Sequence, residues 1–361
     1  MKVCICGGGN IAHAFIGDLE KKDKVGSVNV LTRQPENWNS KIEIYYNNEF
    51  SHYATPDSIT SDFKVLRDMD IIIITVPSHA REEYLKKIQP FVPQKALLVA
   101  TPATGGINYL FDTIFPKNSY ACMQRTPYIS RVVKYGHSVN MDIKKYVEIY
   151  FSKNSTDEDL KKIQTILNID IRILHSHWNI LLSNSNPVLH MASLCSLLDG
   201  NYPYEEMQML YGNGWNDETS KLALAMDDEL AKVMKRLNVD EYRPLTKHYE
   251  VNNYIELSKK LKSIPSFKIL KCPLKEKQGK FYIDENSRYI VEDLPYGTCF
   301  IKYIASILGI ETPNIDFAIR QIQPFMNIDF VSPEGKFNIE NWKKVIHYDF
   351  DKVIRNELRI Y

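Results

Sequence analysis

Met1-Lys2-Val3-Cys4-Ile5-Cys6-Gly7-Gly8-Gly9-Asn10-Ile11-Ala12-His13-Ala14 opens the chain, and its residue order decides the fold. Val3 to Cys6 form a short apolar run. Three glycines follow, and then a stretch with Ala and Phe at helical spacing. The reading is strand, glycine turn, helix, with the pattern G-x-G-x-x-A. Each position has a physical reason. Gly7 permits the tight turn, Gly9 lets a pyrophosphate approach the backbone, and Ala12 lets helix and strand pack closely. The first helical turn, from Asn10 and Ile11 onward, has unbonded N–H groups and the positive end of the helix dipole, which suit phosphate. A second strand at 28–31 completes the context of a dinucleotide site. The alternative is a glycine turn in an α/β domain that holds no nucleotide.

Outward from this stretch, residues 1 to about 175 alternate short apolar runs with helical segments, the pattern of a mostly parallel sheet. The runs are 3–6, 28–31, 71–76, 96–100, 119–123 and 171–174. Helices are predicted over 11–21, 80–88, 107–111 and 157–167, the last with Asp157 as N-cap. Residues 131–151 are rich in Val, Tyr and Ile with a Gly-His turn at 136–137, and read as strands extending the sheet in antiparallel fashion. Beyond about Ser183 the character changes. Segments 190–198, 218–237, 254–261, 298–308, 315–323 and 339–353 read as helices. In 218–237, Leu222, Ala225, Met226, Leu230 and Val233 fall on one stripe. The expected division is therefore 1–180, carrying the sheet, and 181–361, all-helical.

The bulk numbers exclude several function classes. The 361 residues are 44 % hydrophobic and 25 % charged, with a formal net charge of +1, so neither nucleic acid nor an anionic membrane is expected as a partner. No apolar run approaches the ~20 residues of a membrane span. Cys4, Cys6, Cys122, Cys195, Cys272 and Cys299 show no paired spacing. Cys4 and Cys6 lie in a strand, are expected on opposite faces, and read as buried thiols rather than a redox or zinc pair. No metal site is expected. The compartment implied is reducing and cytoplasmic.

In NAD-binding domains a carboxylate at the end of the second strand holds the adenosine ribose. Here that strand ends Leu31-Thr32-Arg33-Gln34. A hydroxyl and a guanidinium stand where the acid would be, and a guanidinium makes bidentate bonds to a 2′-phosphate. Thr32 and Arg33 therefore favour NADP over NAD; the plain alternative for Arg33 is a solvated loop residue. Ligands of open α/β sheets lie at the carboxyl ends of the strands. That places Thr75-Val76-Pro77-Ser78-His79 and Ala100-Thr101-Pro102-Ala103-Thr104-Gly105-Gly106 beside the cofactor. Pro77, Ser78 and Thr101 are assigned to cofactor binding and Gly106 to the substrate side. His79 reads as a loop residue rather than a proton donor.

A nicotinamide reductase also needs a proton donor and a cation for a substrate carboxylate. Asn184-Ser185-Asn186-Pro187-Val188-Leu189-His190 puts Pro187 in a helix's first turn and His190 about one turn in. Arg288-Tyr289-Ile290-Val291-Glu292-Asp293-Leu294-Pro295-Tyr296-Gly297 is polar, punctuated by Pro and Gly, and reads as a site loop.

N-P-V-L-H followed far downstream by R-Y-x-x-E-D-x-P-Y-G resembles the opine dehydrogenase family, of octopine/nopaline dehydrogenase type. The likeness extends to the N-terminal glycines, to Gln124-Arg125-Thr126-Pro127-Tyr128, and to Gly309-Ile310-Glu311-Thr312-Pro313 with Asp316. It implies an α/β Rossmann-type domain followed by an all-α domain. It further implies an NAD(P)H-dependent condensation of an α-keto acid, often pyruvate, with the amino group of an amino acid. A small-molecule keto acid and an amino acid are then the expected partners, and a homodimer is compatible with this. Carried over position by position, His190 is the general acid–base. Asp293 fixes its tautomer, although Glu292 stands next to it and either carboxylate fits. Arg288 binds the keto acid's carboxylate, unless it forms a structural ion pair. Thr126 is placed with the substrate, or in a strand-end turn. Tyr202, Tyr204, Tyr211, Trp215 and Tyr249 form either an aromatic core or an amine-binding surface. Relatives that make opine metallophores, with larger histidine-derived amines and NADPH, are equally compatible. The rival readings are a ketopantoate-type keto-acid reductase, which uses a Lys and a downstream Glu instead of these motifs, and a non-catalytic NADP-binding sensor.

Overall fold

The four-isoleucine run Ile71–Ile74 is buried on every side chain, as a strand covered on both sheet faces must be. It sits near the middle of an eight-stranded sheet. A computed structural model describes residues 1–198 and 201–359. The chain divides into two compact units, Met1–Ile180 and Leu181–Tyr361.

The first unit contains β1 (Lys2–Cys6), α1 (Asn10–Leu19), β2 (Ser27–Leu31), β3 (Ile42–Tyr46), β4 (Glu49–Ala54), β5 (Ser58–Thr60), β6 (Ile71–Ile74) and α2 (Ser78–Ile88). It continues with β7 (Leu97–Ala100), α3 (Ile107–Ile114), β8 (Tyr120–Met123), β9 (Tyr128–Lys134), β10 (Ser138–Ile143), β11 (Tyr146–Phe151), α4 (Asp157–Ile166) and β12 (Asp170–Leu174). The main sheet has the order β12-β11-β8-β7-β6-β1-β2-β5. Its strands run parallel except at the β8–β11 pair, where direction reverses. Only β11 of the 131–151 segment extends this sheet. The hairpin β9–β10 instead joins β3 and β4 in a second sheet of order β4-β3-β10-β9. That sheet packs on α1, whose Phe15, Ile16 and Leu19 are fully buried. Each such side chain contributes roughly 1.5–3 kcal/mol of burial.

Two local expectations change here. The N-cap of α4 is Thr156, in a reciprocal capping box with Asp159, so Asp157 is the first helical residue. Cys4 and Cys6 share one face of β1 and sit together, because residues two apart in a strand point the same way. All six cysteines are free thiols.

The second unit holds α6 (Asn186–Ser196), preceded by α5 (His177–Leu182), within which the unit boundary falls. Then come α7 (Asp217–Arg236), α8 (Leu245–Tyr249), α9 (Tyr254–Ser263), β13 (Leu274–Lys277) and β14 (Lys280–Ile283). A π-helical segment, Tyr289–Thr298, runs directly into α10 (Cys299–Ile307), and α11 (Pro313–Ile322), α12 (Ile339–Ile346) and α13 (Phe350–Leu358) follow. Among the described residues the unit's only strands are the β13–β14 hairpin. The stripe of α7 that is buried contains Ala223, Met226, Leu230 and Val233, with Leu222 and Ala225 only partly covered. Segment 339–353 is two helices, because His347 ends the first in a left-handed conformation at φ 58°. Among the described residues no helix is long and apolar enough to cross a membrane.

Candidate active site

At the carboxyl end of β1, Gly7 has φ +133° and its N–H bonds to Leu31 O at 3.0 Å. A Cβ there would lie 2.2 Å from Thr75 Oγ1, so no other residue fits. Gly9 is the opposite case. A Cβ on it would meet nothing within 4 Å, so the protein itself does not demand glycine there. The helix α1 that starts beside it has no side-chain cap and no acid in its first turn. An uncapped helix start under open ground fits a pyrophosphate. Ala12 is fully buried against the sheet. The Asn10 Oδ1 accepts the Val132 N–H at 2.6 Å, so that oxygen is held by the protein while the Asn10 backbone N–H and Nδ2 remain as donors.

Thr32 is buried at the end of β2, and Arg33 next to it is exposed with no ion-pair partner among the described residues. Pro77 caps α2, Ser78 Oγ lies 3.4 Å from Thr104 Oγ1, and His79 is exposed. Thr101 follows β7 with a buried hydroxyl that has no hydrogen-bond partner among the described residues, an orphan that a ligand could satisfy. Gly106 starts α3 at φ +74°. Thr126 Oγ1 donates to Tyr128 O at 2.8 Å, which is the strand-end turn.

Two residues outside any motif shape this edge. Arg81, fully buried on α2, donates from Nε to Val76 O at 2.9 Å, from one terminal nitrogen to Pro102 O at 2.8 Å and from the other to Thr104 O. One guanidinium thereby ties the loops after β6 and β7 together. His13 is fully buried in α1; its Nε2 accepts the Gly136 N–H at 2.9 Å, so Nδ1 carries the proton and donates to Gly9 O at 2.9 Å. Its ring stacks on Trp38 at 4.2 Å. Burial pushes the His13 pKa down to about 4, with the Gly9 carbonyl opposing. The signal for both was a polar residue at a core-facing helical position.

In the second unit Pro187 opens α6 and His190 follows one turn on. The expected loop 288–297 is π-helical instead, even with Pro295 inside it. The wide π turn carries Tyr289, Glu292 and Asp293 into distinct contacts, and such segments frequently mark functional sites. His190 Nδ1 lies 2.6 Å from Asp293 Oδ2. The Tyr289 ring lies flat on the imidazole, with centroids 3.7 Å apart and planes within 3°. Arg288 bonds Glu292 at 2.7 Å through both Nε and a terminal nitrogen. The two adjacent acids are thus divided, Asp293 to the histidine and buried Glu292 to the arginine. Arg288 keeps 65 % of its side-chain surface exposed. Of the aromatic group, Tyr211 and Trp215 are core: Tyr211 stacks on Phe267 at 4.6 Å and Trp215 donates to Ser220 Oγ. Tyr202 and Tyr204 pack instead with the β13–β14 hairpin.

A glycine turn built for a dinucleotide and an imidazole held by a carboxylate next to an exposed guanidinium define an NAD(P)-dependent oxidoreductase. Residues 3–166 match the family model ketopantoate reductase PanE/ApbA, and residues 173–326 match NAD/NADP octopine/nopaline dehydrogenase, alpha-helical domain. The octopine dehydrogenase of Mizuhopecten yessoensis is 26% identical, with 90% of this chain and 89% of that protein covered. The tauropine dehydrogenase of Arabella iricolor is 27% identical over 92% of this chain and 93% of its own. A solved octopine dehydrogenase with NADH and pyruvate shares the fold at a TM-score of 0.82, 22% identity, and coverage of 99% and 98%. These likenesses support the opine dehydrogenase family, whose members are NAD(P)-dependent oxidoreductases acting on CH–NH groups.

Proposed function

We propose that this chain condenses an α-keto acid, pyruvate first among them, with the amino group of an amino acid and reduces the resulting imine. Residues 1–180 are read as the NADP- or NAD-binding domain and 181–361 as the substrate domain. The observation that carries the reading is the His190–Asp293 pair beside Arg288, on helices with the N-P-x-x-H and R-x4-D spacing.

When bound, the nicotinamide supplies the hydride. The chain's own groups supply the rest. Asp293 accepts the hydrogen bond from the Nδ1–H of His190, so Nε2 is the nitrogen that exchanges a proton with substrate. Protonated Nε2 gives its proton to the carbinolamine hydroxyl, which leaves as water, and the imine carbon becomes electrophilic. In the reverse direction neutral Nε2 takes the proton of the secondary amine as hydride departs. Asp293 stabilises the imidazolium in both directions. The exposed face of Arg288 binds the keto acid's carboxylate, while Glu292 fixes the guanidinium plane. Thr32 and Arg33 contact the adenosine ribose, with Arg33 favouring a 2′-phosphate and so NADP. The six free thiols fit a reducing, cytoplasmic setting.

The test is oxidation of NADPH or NADH with pyruvate alone, an amino acid alone, and both. Oxidation that requires both supports the reading. Turnover with the keto acid alone points to a ketopantoate-type reductase, and binding without turnover to a sensor.

A further inference from the structure

Among the chain segments that leave the main sheet at its carboxyl edge are Gly7 after β1, Thr75–Pro77 after β6, Thr101 after β7, and Gln124–Thr126 after β8. The last contains Arg125. The hairpin partner of β9 brings a second cation to it. In β10 Ile143 pairs with Tyr128, and the Lys144 N–H donates to Pro127 O at 3.0 Å. Lys144 is therefore held beside the Arg125–Thr126 turn by backbone register.

Both side chains are half-buried. Among the described residues no carboxylate lies within ion-pair distance of Lys144. Burial first, and then the charge of Arg125, push its ammonium down to about 8. Two like charges crowded on a half-buried edge repel, and a bound anion between them removes the repulsion.

The position narrows what the anion can be. Strand order puts β8 three strands from β1, roughly 14 Å across the sheet at the usual spacing. The pyrophosphate belongs at the start of α1, so it is not the ligand. The keto acid's carboxylate is matched to Arg288 in the reading above. The anion left in that reaction belongs to the amine. We propose that Arg125 and Lys144 form a subsite for the acid group of the amine substrate. The chain then prefers amines that carry a carboxylate or sulfonate over decarboxylated or cationic amines. This rests on the opine-forming reading.

The experiment uses the full chain with pyruvate and NADPH or NADH. L-alanine, L-glutamate and taurine are compared with ethylamine and agmatine, and wild type with Lys144→Gln, Arg125→Gln and Lys144→Arg. Expected is turnover of the acidic amines with little from ethylamine or agmatine. Each Gln variant should raise KM for the preferred amine about tenfold or more, with KM for pyruvate and cofactor unchanged. Lys144→Arg should restore it. Ethylamine or agmatine used as well as alanine overturns the subsite, as does an unchanged amine KM in both Gln variants. Wild type that consumes pyruvate without any amine instead sinks the opine-forming reading itself, and the subsite with it.

Discussion

His190 Nδ1 stands 2.6 Å from Asp293 Oδ2, while the neighbouring acid Glu292 holds Arg288. The imidazole therefore has one nitrogen committed to the protein and one left for chemistry. His190→Ala should cut kcat by about 10²–10⁴ and leave NADPH affinity nearly intact. Asp293→Asn should also lower kcat, because the imidazolium loses its carboxylate. The double variant should lose less than the sum. Steady-state kinetics with a parallel cofactor titration decide this. Near-wild-type kcat in His190→Ala, with loss in His79→Ala, would move the proton donor to the first unit.

Arg288 separates from these two in its expected kinetics. If, as proposed, its guanidinium binds substrate charge rather than moving a proton, Arg288→Ala should act mainly through KM for the keto acid. Glu292→Gln keeps the shape of the contact but weakens its hold on the guanidinium plane, so it should give a smaller rise in the same KM. An effect confined to kcat would refute the carboxylate role.

Arg33 is exposed beside buried Thr32 at the end of β2. Arg33→Ala should raise KM for NADPH about ten- to a hundredfold, since one charge-assisted contact is worth on the order of 1.5–3 kcal/mol. KM for NADH should change little. Equal effects on both cofactors would leave Arg33 a solvated charge.

The parallel sheet was legible because its strands are continuous apolar runs and its first turn is a glycine motif. β3 and β4 were not, because β4 exposes Glu49, Phe50, Ser51 and Tyr53, so no alternation marks its buried face. The 288–297 segment read as a loop because Pro295 and Gly297 normally break an α-helix. A π-helix tolerates them, and its register is what parts Glu292 from Asp293. Which acid meets His190 could not be read from adjacent positions in the sequence. Arg81 and His13 left only the faint signal of a polar residue at a core-facing helical position. Their long-range partners are backbone groups of distant loops, which no spacing rule reports.

His13 makes the fold sensitive to acid. Its folded pKa of about 4 lies below the ordinary ~6.5, so the unfolded chain binds the proton more readily. Stability from this group is complete above pH ~6.5 and is lost as pH falls toward 4, by about 3 kcal/mol in all. Protonating Nε2 also removes the acceptor of the Gly136 N–H. Denaturant unfolding across this range should show a decline that His13→Gln makes shallower. An identical slope in wild type and variant would remove His13 as its source.

Arg81 lies fully buried with acceptors on Val76, Pro102 and Thr104, carbonyls of the two loops that flank the proposed nicotinamide position. Arg81→Met keeps most of the volume and removes every donor. Three carbonyls then lose a charged partner, at a cost on the order of 2–5 kcal/mol. Arg81→Lys supplies a point charge without the planar fork, so it should recover only part of the loss. Because the guanidinium joins the loops to each other, the weakened state should also bind NAD(P)H less tightly. kcat at saturating cofactor should fall much less, since Arg81 touches neither substrate nor proton. Thermal unfolding with cofactor titration separates the two effects. A destabilised Arg81→Met with unchanged cofactor affinity would make Arg81 a core residue alone, and unchanged stability would refute the account of its three bonds.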